Sequence, residues 1–163
     1  MSQEEHAITD LEVEINTTYY AQDIGEILCR RINTTLICLQ FLLGSSVIAK
    51  TEHTFLVGLS IAAISAIQAA CKFSEKAARH RECRLIYSRL VNEIGLADDR
   101  AAYDAVEEKH FAAEVNEPQV SHRALVLAQH CAHQKLYDKP QKMKFSLLER
   151  LTASFAGVSL KHH

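Results

Sequence analysis

The sequence predicts an all-α fold: a membrane protein with a two-helix transmembrane hairpin and a cytosolic helical bundle. Three observations lead there. Gly (5) and Pro (2) are scarce among 163 residues while Ala, Leu and Glu abound, so helix breakers are rare everywhere. Two runs, Ile32–Ala49 and Thr54–Cys71, contain no Asp, Glu, Lys or Arg and are separated only by Lys50-Thr51-Glu52-His53. Lys and Arg crowd at the outer ends of this pair, with Lys50 alone in the loop.

Each run has 18 residues. As a helix each is about 27 Å long, at the short end of what crosses a bilayer core. The loop permits only an antiparallel return. A soluble hairpin buried in a bundle is the rival reading, because core helices are also apolar all round. The shortness of the runs, their Asn33, Thr34, Thr35, Gln40 and Gln68, and the absence of Trp favour that rival. The two consecutive charge-free runs and the placement of charge favour the membrane.

Residues 1–31 form the first region, an N-terminal amphipathic helix on the cytosolic side. Ile8, Leu11, Ile15, Thr18 or Tyr19, and Gln22 recur at helical spacing, with Ile24, Ile27 and Leu28 on a neighbouring stripe. Asn16-Thr17-Thr18 and Gly25 are the weak points of that helix. Its first 29 residues hold seven acids and no Lys or Arg; Arg30-Arg31 then stands directly before the apolar run. The acidic start, MSQEEHAITD, is unlike a signal peptide, which leaves the first apolar run as the targeting signal.

Residues 32–71 are the hairpin. Residues 72–136 are a cytosolic helical region continuing from its second helix. Between Lys72 and Arg84 five bases (Lys72, Lys76, Arg79, Arg81, Arg84) face two acids. The positive-inside rule therefore puts both termini in the cytoplasm and Lys50–His53 outside, with Arg30, Arg31 and these five bases facing headgroups. The bland alternative for the bases is a solvated helix face. An amphipathic pattern runs on to Gly95, so Phe55–Ile94 reads as one helix of about 60 Å. Asp98 is the expected N-cap of a fourth helix, Asp99–Val115. Asn116-Glu117-Pro118 ends it and begins a fifth, reaching about Leu136. Residues 137–163 comprise a polar linker containing Pro140 and a last amphipathic helix, Met143–Phe155. That helix either lies on the bilayer surface or packs on the bundle.

Inside the hairpin, Gly58, Ala62, Ala66 and Ala70 recur every fourth residue. In lipid such a stripe lets backbones approach closely, either against the first helix of the same chain or between copies. Gln40, Ser65 and Gln68 are candidate intramembrane polar contacts, as glue between helices or as pore lining, because an unpaired amide in hydrocarbon is costly.

The formal net charge of −2 argues against a nucleic-acid partner. Five Cys without a CxxC read as reduced thiols. His130 and His133 are i,i+3, but His122 lies three turns from His133; two ligands do not make a zinc site. No P-loop, GxSxG, HExxH or dinucleotide fingerprint occurs. The sequence thus predicts no catalytic residue, no metal ligand and no cofactor: not an enzyme.

The N-terminal helix, the close apolar pair and the long helix KAARHRECRLIYSRLVNEI, with His80, Tyr87 and Leu90, resemble the SLATT group of bacterial two-transmembrane effectors, found with SMODS and SLOG sensor systems. The stretch VNEPQVSHRALVLAQHCAHQ is similar to a Glu-Pro then Cys-His ending of small bacterial and phage membrane proteins. The likeness covers roughly residues 8–136, in architecture more than in fixed motifs. It implies a pore-forming or membrane-perturbing effector in anti-phage defence, self-associated in the inner membrane. No sensor domain is recognisable. A prophage-encoded superinfection-exclusion protein, acting on a membrane or phage-component partner to block DNA entry, is the alternative. A soluble all-α interaction module is the third.

Overall fold

The computed structural model describes residues 3–48, 54–137 and 143–160. The expected loop Lys50–His53 and most of the linker around Pro140 lie outside the described residues. Six helices account for the architecture: α1 (Gln3–Ile48), α2 (Thr54–Cys71), α3 (Phe73–Ile94), α4 (Arg100–Glu114), α5 (His122–Leu136) and α6 (Leu147–Ala156). No strand occurs among the described residues.

The spine is α1, 46 residues long and about 69 Å at helical rise. The boundary drawn between residues 31 and 32 falls inside this one helix. Asn16-Thr17-Thr18 does not weaken it: Asn16 is buried, donates from Nδ2 to the Glu12 carbonyl at 2.9 Å and accepts from Lys135 at 3.2 Å. Tertiary partners override the poor helix propensity of Asn and Thr.

The return path does break. Lys72 adopts φ 48°, ψ 46°, the left-handed region, and divides α2 from α3. That conformation costs a non-glycine residue about 1–2 kcal/mol. The single helix expected over Phe55–Ile94 is therefore two, joined at Lys72, directly after the apolar run. Gly95 follows α3 as expected, but with right-handed φ −69°.

Around the N-terminal half of α1 the other helices build a body with two apolar cores. One joins α1, α5 and α6 through Ala21, Ile24, Leu127, Ala128, Ala153 and Ala156. The other joins α1, α3 and α4 through Ile15, Cys83, Tyr87, Leu90, Ile94 and Val106. Small side chains in the first core bring α5 and α6 close to α1. Tyr87 and Leu127 are wholly buried; full burial of a large apolar side chain is worth about 1.5–3 kcal/mol.

The helix starts follow local chemistry. The Asp99 side chain accepts from the Ala102 N–H at 2.7 Å, so the cap sits one residue after the expected Asp98. The fifth helix begins at His122, capped by Ser121, and not at Pro118. Glu117 and Pro118 stay outside any helix, with the Glu117 carboxylate and the Pro118 carbonyl held by Gln22 of α1. The last helix begins at Leu147 and not at Met143. Ser146 and Glu149 form a reciprocal capping box there, which fixes the first turn. Gly157 closes it at φ 78°, a left-handed cap that favours glycine.

Candidate functional site

Past Arg31, α1 leaves the body and runs beside α2 alone. The less exposed residues of α2 are Val57, Ile61, Ile64, Gln68 and Cys71, spaced alternately by four and three. Asn33, Leu36, Gln40 and Leu43 answer on α1. This is the spacing of a supercoiled helix pair. Polar residues on the seam find each other. Gln40 Nε2 donates to Ser65 Oγ at 2.9 Å, and Ser65 donates on to the Ile61 carbonyl. Gln68 Nε2 donates to Asn33 Oδ1 at 3.4 Å.

The rest of the hairpin surface is uncovered. No residue of α2 is buried. Phe55 is 80% exposed and Phe41 75%. Two helices are long and apolar enough to cross a membrane, and none of either apolar window is buried inside the chain. Gly58, Ala62, Ala66 and Ala70 all lie on the exposed side, and a Cβ at Gly58 would meet nothing. Packing against the first helix, one of the two uses expected of this stripe, is therefore not what it does in the chain.

The bases at the foot of the hairpin divide by what they touch. Arg84 is three-quarters buried and pairs with Glu26 at 3.0 Å and Asp23 at 3.4 Å, so it serves the body. Arg31 donates to the Phe155 carbonyl and ties α6 to the start of the apolar run. Lys72 and Arg79 both pair with exposed Glu75. Arg30, Lys76 and Arg81 are exposed. Arg30 and Arg81 line an open groove of about 540 Å³ with Asn33, Thr34 and Glu82.

Above that groove is a buried polar hub. Gln22, fully buried, donates from Nε2 to Glu117 Oε1 at 2.8 Å and to the Pro118 carbonyl at 3.2 Å. Its Oε1 lies 2.6 Å from His80 Nδ1. Both amide hydrogens of Gln22 have acceptors, so its oxygen must face the ring, and Nδ1 must donate. Tyr87 donates to the other oxygen of Glu117 at 3.4 Å. Burial pushes the His80 pKa down, opposed by Glu26 and helped by Lys76. Burial, then the Glu117 carboxylate, pushes the Tyr87 hydroxyl up. A Cβ on Gly25 would sit 3.0 Å from the His80 ring, so glycine is what lets α3 come this close to α1.

Five thiols are free, and burial raises that of Cys83 to about 11, which makes it unreactive. The fifth-helix histidines do not converge. His130 packs edge-on against Phe145 at 5.0 Å, and His133 stacks on Tyr137 at 5.2 Å. A different group does converge. A ring nitrogen of His110 and one carboxylate oxygen each from Glu14 and Glu114 lie within 4.8 Å of one another. His110 and Glu114 are i,i+4 on α4, a spacing visible in the sequence. Nothing in the sequence brings Glu14 to them.

No family model, curated protein or solved structure matches the chain.

Proposed function

We propose that the chain is an inner-membrane protein whose hairpin spans the bilayer and self-associates through α2, with the helical body in the cytoplasm. The observation that carries this reading is the bare apolar hairpin: the chain builds two cores elsewhere and leaves Phe41, Leu42, Phe55, Leu56 and Leu59 uncovered. A bilayer is the solvent that accepts such a surface, and the amide pairing along the seam suits a medium without water. The foot of the hairpin supports the same placement. Arg31 holds α6 there, and α6 turns Leu147, Leu148, Leu151 and Phe155 outward while Ala153 and Ala156 face the core. An amphipathic helix at that level suits the headgroup boundary, with Arg30 and Arg81 in the adjoining groove for anionic lipid.

The exposed Gly58–Ala70 stripe is then the contact between copies. With the SLATT resemblance, this makes the protein a membrane-perturbing effector in anti-phage defence. Carbonate extraction tests the first step: a spanning hairpin stays in the pellet, and release into the supernatant would return the chain to a soluble interaction module. Disulfide cross-linking of A62C pairs in membranes tests self-association. Depolarisation on expression tests the activity; a full membrane potential combined with blocked phage DNA entry would shift the reading to superinfection exclusion.

A further inference from the structure

The geometry points to a divalent transition-metal site made by Glu14, His110 and Glu114, which clamps α4 onto α1. Three donors of the right kind meet there: one imidazole nitrogen and two carboxylate oxygens, all within 4.8 Å of one another. The set comes from two helices. His110 and Glu114 project from one side of α4, since residues four apart are neighbours on a helix surface. Glu14 comes across from α1, one residue before the core side chain Ile15.

His110 is what separates this group from a chance cluster of surface acids. It is 98% buried, yet its Nε2 has no hydrogen-bond partner. A buried polar atom without a partner costs about as much as a lost hydrogen bond, and such atoms are rare. The ring packs edge-on against Tyr87 at 5.7 Å, which holds it in place. The two carboxylates are exposed, and neither makes an ion pair among the described residues. One fixed imidazole therefore faces two movable carboxyl groups.

The chemistry of the set narrows the ion. Zn²⁺ takes nitrogen at about 2.0–2.1 Å and carboxylate oxygen at about 2.0–2.2 Å. Donors around a tetrahedral ion then stand about 3.3 Å apart by that geometry, so donors that lie within 4.8 Å of one another need to close by at most about 1.5 Å. Long exposed side chains do this by a change of rotamer. An imidazole donor favours Zn²⁺, Fe²⁺ or Ni²⁺ over Mg²⁺ and Ca²⁺, which prefer oxygen alone. Three protein ligands leave a fourth position for water. The mechanical role follows from the fold: α4 buries only Val106 and His110, and Lys109–Glu93 ties it to α3 and not to α1. The ion would add a polar link to the apolar contact that Val106 and Ile15 already make in the shared core.

The test uses the full-length chain in mild detergent, stripped with EDTA. Zn²⁺ is titrated against a chromophoric chelator, and Co²⁺ absorption reports the ligand set. Glu14→Gln with Glu114→Gln is the deciding variant, because both positions are exposed and the exchange preserves shape; His110→Asn is the second. Wild type should bind one Zn²⁺ at least tenfold more tightly than E14Q/E114Q, and millimolar Mg²⁺ should not displace it. Zn²⁺ should also slow amide exchange across residues 100–114 in wild type and not in the variant, a change that surface binding would not produce. Equal isotherms for wild type and E14Q/E114Q would overturn the site. So would Zn²⁺ binding that survives in E14Q/E114Q and disappears in H162A/H163A, which would assign the ion to the C-terminal histidines.

Discussion

The two halves of α1 are built by different rules. Between Ile15 and Glu26, α1 buries apolar and polar residues in turn: Ile15, Asn16, Thr17, Ala21, Gln22, Ile24 and Glu26 are each at most 9% exposed. Buried polar groups there are held by several elements at once. Gln22 alone reaches α3 and the segment before α5. Beyond Arg31 nothing of the described hairpin is buried; Gln40 and Gln68 each find one partner across a single seam, and Thr34, Ser45 and Ser60 bond back to their own helix. Water-facing structure must satisfy its interior; the hairpin hides its few amides from its surroundings and leaves its apolar atoms out. Both halves are equally helical, and they differ in what they bury.

The largest effect should come from placing one charge in each region. Ala63→Lys lies at the middle of α2, where a lysine costs about 2.5–3.5 kcal/mol of membrane insertion. Ile86→Lys, at an exposed position on α3, should change stability by no more than about 0.5 kcal/mol. The pellet fraction after carbonate extraction should fall for the first and hold for the second. Equal behaviour would erase the distinction between the halves.

Gly25→Ala comes next. Its methyl would meet a His80 ring that Gln22 holds at 2.6 Å and cannot easily release. Overpacking of this kind costs about 1–3 kcal/mol, and urea denaturation of the body should show it. Gly58→Ala, with open space around it in the single chain, should leave that midpoint unchanged.

A smaller effect is tied to pH. The folded chain holds the His80 pKa below its usual value of 6.5. Between that lowered value and 6.5 the unfolded chain binds more protons, so stability rises with pH across the interval and levels off above it. His80→Gln should flatten this part of the stability–pH profile. The smallest change belongs to Gln40→Ala, because interhelical hydrogen bonds in membranes average about 0.6 kcal/mol. A loss of several kcal/mol there would mean that the Gln40–Ser65 pair does more than join two helices.

The hairpin was legible because absence of charge is a property of consecutive residues. The start of α4 was legible to within one residue, since an Asp before a helix is a local signal. The hub was not legible. Gln22 meets His80 58 positions on and Glu117 95 positions on, and neither spacing has any periodicity. The same tertiary bonds explain why the fifth helix starts late, and the burial of Asn16 explains why α1 runs through a stretch that looked weak. The four-residue spacing of Gly58 to Ala70 was plain, but which way it faced depended on where Gln68 found Asn33.

The length of α1 without a break has a geometric consequence. Gln22, at the centre of the hub, and Gln40, on the hairpin seam, are eighteen residues apart. At 3.6 residues per turn that is five whole turns, so the two amides leave the same side of the rod about 27 Å from each other. The return path of the hairpin is broken at Lys72; α1 has no such break. The hub and the hairpin seam are therefore carried on one unbroken helix and on one side of it.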